Sequence, residues 1–248
     1  MEVGGTEPGG TSPSALSRYD DGLMIPAQKV GENDKFSKEY HITVSRNTRD
    51  GSWWIIDDLA KLGGCTKMKK AVINLIDEYG LDYYEKAVYE MIEEGRRFAT
   101  NKIKTVLYPG TYHTVNFYDV LNAEQPVRFQ KNQYVHEPLE MTVRKSGELA
   151  LDYDGTSSPG YHANNASLIC VTGLHIYQLL QEVLYDGLFN SGVVQAFKMH
   201  FPENSILNPG IQYACAVWAT ANTGVKARPA MNQPNNEPRI SAAGNTAT

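Results

Sequence analysis

The chain has 248 residues, 42% hydrophobic and 21% charged, with a formal net charge of −5. That is ordinary for a globular protein and enough for a sizeable core, as one large domain or two small ones. The acidic balance, with a pI near 5.7, excludes a general nucleic-acid binder, which needs a concentrated basic face. No apolar run approaches the roughly 20 residues of a membrane helix, and the first residues lack the basic and apolar regions of a secretory signal. Cys65, Cys170 and Cys215 are too few and too far apart for a disulfide framework or a zinc pattern, which reads as three reduced thiols in a cytoplasmic protein.

In chain order, residues 1–13 are rich in Gly, Thr and Pro and form a loop, with polar turns over 31–39 and 46–51. His41-Ile42-Thr43-Val44 between them reads as a short strand. The clearest helix starts at a Thr66 cap, carries Met68, Val72, Leu75, Ile76 and Tyr79 on one face, and stops at Gly80. Asp82, with Glu85 three residues on, has capping-box spacing for a second helix bearing Tyr84, Val88, Met91, Phe98 and Ile103. So short a link predicts an antiparallel helical hairpin.

Beyond Pro109-Gly110 the period changes to two. Thr111–Phe117, Leu139–Val143 and Leu149–Tyr153 read as strands, the last two joined by a Ser146-Gly147 turn. Asp154–Gly160 follows as a polar loop, then a mostly apolar segment from about Ala166 to Tyr185 reads as a buried helix. Val193–Phe201 reads as one more strand, and residues 223–248 as loop or disordered tail. The expected class is α+β: a helical hairpin, then a mostly antiparallel sheet and a buried helix. The expected regions are a glycine-rich loop and lead-in segment of the catalytic region (1–65), the hairpin (66–106), an α+β region (107–222) and the tail (223–248).

No phosphate loop of the GxxxxGK[ST] type and no GxSxG elbow is present. The six histidines, His41, His113, His136, His162, His175 and His200, show no i, i+3 or i+4 pairing of the kind that holds a metal on a helix. His162 stands out because Asn164-Asn165 follows it, just after the Asp154-Gly155-Thr156 loop. A strand end, a tight turn and Asn at a helix start is a common way to aim polar groups into a cleft; the plain alternative is a turn with an Asn helix cap. Asp154 is either a turn residue or a carboxylate positioning substrate or water. Gly4 and Gly5, flanked by Glu2 and Glu7, give a backbone that an anion or carbonyl can approach closely, or a merely structural loop.

Four short blocks stand in order: Glu2-Val3-Gly4-Gly5 with Pro8-Gly9, Asp21–Pro26 and Lys29; Asn47-Thr48-Arg49 with Trp54 and Asp57–Ala60; Leu107–Tyr112; and Leu151–Ser157 with Asn164-Asn165-Ala166, Asn190-Ser191-Gly192 and Ser205–Pro209. Together they resemble the hydantoinase B/oxoprolinase family, in the branch of the acetone carboxylase alpha subunit. The resemblance implies ATP-dependent carboxylation of acetone by bicarbonate to acetoacetate, with manganese in the alpha-type subunit. It implies two partners: a hydantoinase A-type nucleotide-binding subunit and a small third subunit. The alternatives are ATP-dependent hydrolysis of a cyclic amide, or a non-catalytic assembly module. On this reading Glu2, Asp154, Asn164 and Asn165 are catalytic, and Gly4, Gly5, Gly155, Thr156 and His162 bind substrate. The family's metal ligands fall upstream of Glu2, so no residue here is expected to be one. The chain reads as a middle-to-carboxyl portion of the subunit that is inactive by itself and binds manganese weakly.

Overall fold

The computed structural model describes residues 5, 14–120, 133–168, 172–173 and 189–215. It is α+β. Helices α1 (Arg18–Asp21), α2 (Lys38–Asn47), α3 (Gly51–Tyr79), α4 (Leu81–Val106) and α5 (Ser191–Val194) accompany a small ribbon, β1 (Gly31–Glu32) with β2 (Lys35–Phe36). A four-stranded sheet is built from β3 (Gly110–Val120), β4 (Gln133–Val143), β5 (Leu149–Asp152) and β6 (Phe197–His200).

His41–Val44, expected as a strand, lies inside α2. The Ser37 hydroxyl accepts a hydrogen bond from the Tyr40 N–H at 3.1 Å, which fixes a helix start that four alternating residues cannot reveal. Buried Asp58 ties α2 to α3: its carboxylate accepts from the Tyr40 hydroxyl at 2.8 Å and from Trp54 Nε1 at 3.0 Å.

The helical hairpin is longer than expected. Thr66 is not its cap but lies mid-helix, since α3 begins at Gly51. Gly63-Gly64 disguises this in the sequence; two exposed glycines cost roughly 1 kcal/mol each, which a helix anchored at Trp54 and Asp58 tolerates. Asp82 is not the cap of the second arm either. Gly80, at φ +86°, joins the two helices directly, and α4 starts at Leu81 without a side-chain cap.

In the main sheet the order is β3-β4-β5-β6. The first two pairings are antiparallel, with Gly110 opposite Val143 and Val143 opposite Leu149. The third is parallel, with Asp152 opposite His200. Pro138 sits where β4 pairs with β3 alone, beyond the Glu140–Val143 stretch that meets β5, so its missing N–H breaks no ladder to β5. Alternation on β4 turns Val135, Glu137, Leu139, Met141 and Val143 inward, where they are buried. Ala99 and Ile103 from the carboxyl half of α4, with Leu107 just beyond its end, pack there with Leu149, Leu151, Phe197, Ile206 and Leu207. Burial pushes the Tyr153 hydroxyl well above its ordinary pKa, and the charge of buried Glu137 adds to this.

The expected strand Val193–Phe201 is two elements, α5 and then β6. Asn190 makes the difference: its Oδ1 accepts from the Gly192 N–H at 2.9 Å and caps the short helix, while its Nδ2 donates to the Met91 carbonyl at 2.7 Å. This latches α5 onto α4 at Gly95 and Gly192. The expected buried helix lies largely outside the described residues, and the 223–248 tail wholly so.

Candidate functional site

Because β5 and β6 run parallel, the chain leaves both at the same end of the sheet, the end at which open sheets commonly hold ligands. The two departing segments, 153–168 and 201–215, are knitted together there. Ile206 donates its N–H to the Ser157 carbonyl and Ala166 donates to the Ile206 carbonyl, both at 2.8 Å. Asn164 and Cys215 form an antiparallel bridge. The lead-in segment joins them through a Ser17–Tyr213 bridge and an Arg18 N–H donated to the Gln212 carbonyl at 3.2 Å. Small side chains, Ala15, Ala163 and Ala214, let the three segments close up, and Gly5 is buried.

At the centre is the turn His162–Asn165. Asn165 is fully buried. Its Oδ1 accepts from the Gly160 N–H at 3.1 Å, and its Nδ2 donates to the carbonyls of Gly160, His162 and Ala214 at 2.9, 2.8 and 2.8 Å. Every polar group of this amide is thus spent on backbone, and its geometry is that of a clamp holding the turn against 214. The Asn164 N–H donates to His162 Nδ1 at 3.2 Å. His162 is 2% exposed, and burial pushes its imidazole down to about 4. The ring is therefore neutral near pH 7, with Nδ1 an acceptor and the proton on Nε2. That Nε2 is buried with no hydrogen-bond partner among the described residues, a costly state for a donor.

Of the other expected site residues, Thr156 donates its hydroxyl to the Tyr153 carbonyl at 2.7 Å, and Gly155 makes the turn at φ +84°. Asp154 is exposed and lines a different space, an open groove of about 580 Å³ on the outer face of the sheet with His113, Glu140 and Asp152. There Asp152 accepts from the His200 ring at 2.8 Å. Partial burial pushes the Asp152 carboxyl up, but the His200 hydrogen bond, the Asp154 N–H and the His200 charge together hold it below its usual value. The same hydrogen bond raises His200, against a small opposing desolvation. Glu2 and Gly4 lie outside the described residues. Reading the sequence did not reveal a second groove of about 540 Å³, formed by Arg18, Leu23, Met24 and Ile25 against Asn208–Ile211, Tyr213 and Cys215. The blocks that contribute to it were visible, but nothing local marks their pairing.

Among the described residues no group of three or more His, Cys, Asp or Glu side chains could hold a metal ion. No described helix is long and apolar enough to cross a membrane.

The fold and its loop site thus define an α+β segment in which the lead-in segment meets the two segments that leave a parallel strand pair at its carboxyl end. The chain belongs to the hydantoinase B/oxoprolinase family, whose model matches residues 1–247. It is 31% identical over 214 residues to the acetone carboxylase alpha subunit of Xanthobacter autotrophicus, covering 84% of this chain and 28% of that one. It is 26% identical over 231 residues to the acetophenone carboxylase delta subunit of Aromatoleum aromaticum, covering 90% and 32%. A solved nucleotide-free structure of acetone carboxylase superposes with a TM-score of 0.87 at 27% identity, over 95% of this chain and 32% of that one. The chain therefore spans about a third or less of the length of these relatives.

Proposed function

We propose that this chain forms part of the alpha-type subunit of an ATP-dependent ketone carboxylase, acting with bicarbonate on acetone or a close relative to give a β-keto acid. Manganese and ATP belong to other parts of the complex, and the partners are a nucleotide-binding subunit and a small third subunit. Support comes from the 31% identity to an acetone carboxylase alpha subunit and from the Glu-Val-Gly-Gly wording of the first block.

The observation that carries the site reading is the neutral, buried His162 with an unengaged Nε2. A neutral imidazole donor in a dry turn suits a carbonyl or carboxyl oxygen on which negative charge develops. The hydrogen bond strengthens as that charge grows, and the fixed ring needs no reorganisation. Asn164 and Asn165 act as positioning residues: the first fixes the tautomer, the second the turn.

The test is labelled-bicarbonate incorporation into acetone by the complete complex, with and without ATP. ATP-dependent formation of a labelled β-keto acid supports the proposal. ATP-dependent opening of a cyclic amide, with no fixation of label, supports the amidohydrolase alternative and overturns it.

A further inference from the structure

We infer that the outer face of the main sheet seats an amphipathic helix from outside this chain, with an apolar stripe flanked by Lys or Arg. Strand register composes the face. His113, Glu140, Asp152 and His200 stand opposite one another, one from each strand, in a single row. The next rows along β3 and β4 are Val115 with Pro138, Phe117 with His136, and Asp119 with Tyr134. Rows on one face lie about 7 Å apart, so Asp119 stands about 20 Å from the first row with the apolar residues between. That stretch is open: Val115 is 47% exposed, Phe117 52% and Tyr134 67%. The Phe117 and Tyr134 rings stack with centroids 5.4 Å apart. The groove of about 580 Å³ lies between the acidic row, Asp154, Val115 and Pro138 and gives an incoming side chain a place to enter. Apolar side chains grouped and exposed in this way mark interaction surfaces. A helix suits the face better than a strand, because a strand laid across it would leave its own N–H and C=O groups unpaired.

Charge selects the occupant. Glu140 and Asp152 are directly opposite on neighbouring strands, a like-charge pairing that costs stability. Their imidazole partners flank the pair and do not separate it: His200 bonds Asp152 at 2.8 Å, and His113 lies 3.7 Å from Glu140. Asp154 adds a third carboxylate, and exposed Asp119 a fourth at the far end. Among the described strand residues that point outward, Lys198 alone is a Lys or Arg, and Glu148 holds it at 3.1 Å. A basic side chain entering between Glu140 and Asp152 relieves their repulsion. At 1.5 Å per residue, apolar residues about four and eight positions further along the helix meet Val115 and Phe117, and a second basic residue about thirteen positions on meets Asp119. A second copy of this face would bring acid against acid. In the relatives the matched region is about a third of the chain or less, which leaves polypeptide to supply the helix.

The test is photocrosslinking in the complete complex carrying Phe117→p-benzoylphenylalanine, with the captured segment identified by mass spectrometry. The expected capture is one segment from outside these 248 residues, with Lys or Arg about thirteen positions apart and apolar residues between. Adding Glu140→Lys/Asp152→Lys is expected to lower the yield at least about tenfold, and Glu140→Gln/Asp152→Asn to lower it less, because only the first pair repels a basic residue. Circular dichroism checks that the variants fold. No capture, capture of a segment without basic residues, or capture of any part of this chain, a second copy included, overturns the proposal. A yield that the lysine pair leaves unchanged in a folded protein overturns it equally.

Discussion

The side-chain amide of Asn165 donates to the Ala214 carbonyl at 2.8 Å across 49 residues of sequence, a side-chain clamp that adds to the backbone bonds between the two segments leaving the parallel strands. Replacing Asn165 by Ala removes it together with the bonds to Gly160 and His162, and leaves buried carbonyls unsatisfied. The expected loss is roughly 2–4 kcal/mol, read as a lower midpoint with unchanged slope in urea unfolding. An Asn165→Ala chain as stable as wild type would show that the clamp is dispensable.

His162 makes stability depend on acid. Its folded pKa is about 4, below the ordinary 6.5, so between those values the unfolded chain takes up a proton that the folded chain refuses. Stability is full above about pH 6.5 and falls as pH drops toward 4, by on the order of 3 kcal/mol. Unfolding midpoints measured from pH 7 to 4 should show this slope in wild type and lose it in His162→Gln. An NMR titration of His162 centred near 6.5 would contradict it.

His200 has the opposite sign. Its hydrogen bond with the Asp152 carboxylate raises its pKa, so the pair contributes below the unfolded value and fades as pH climbs through the folded one. Both groups are well exposed, and the effect on stability is small. The readout is therefore the titration itself: the His200 midpoint lies above 6.5 and returns to it in Asp152→Asn.

The latch between α4 and α5 discriminates two glycines. A Cβ on Gly192 would overlap the Ile92 carbonyl, which is backbone, whereas a Cβ on Gly95 would overlap the Asn190 side chain. Both Gly→Ala changes should cost about 2 kcal/mol or more. Removing the obstructing amide in Gly95→Ala/Asn190→Ala should recover part of that loss relative to the sum of the single changes, while Gly192→Ala/Asn190→Ala should recover none. Thermal unfolding of the double variants decides.

Parts of this architecture are legible in the sequence. The Phe98 and Ile103 stripe in the carboxyl half of α4 and the two-residue alternation of β4 and β5 declare themselves, because burial on one face imposes a period. Misreadings fall where a local signal competes with a distant one. Gly63-Gly64 hides the first turns of α3, whose hold comes from Asp58 meeting Tyr40 and Trp54. His41–Val44 alternates like a strand but obeys the Ser37 cap. The parallel partner of β5 arrives only after Asn190 has ended one segment and capped another. At the site, His162, Asn164 and Asn165 stand together in the sequence, so their clustering is readable. Their closure by Ala214 and Cys215 is not, since no local pattern encodes a bridge across some fifty residues. Asp154 reads as a companion of that turn, yet strand alternation at the end of β5 leaves it on the outer groove.

The most direct test of the central claim is bicarbonate fixation by the complete complex carrying His162→Leu or His162→Gln. Loss of the Nε2 donor is expected to lower kcat by roughly 10²–10³-fold in the leucine variant. The glutamine variant, which keeps an N–H donor, should retain clearly more activity, and ATP hydrolysis and assembly should persist in both. A leucine variant that fixes bicarbonate at the wild-type rate would contradict the account.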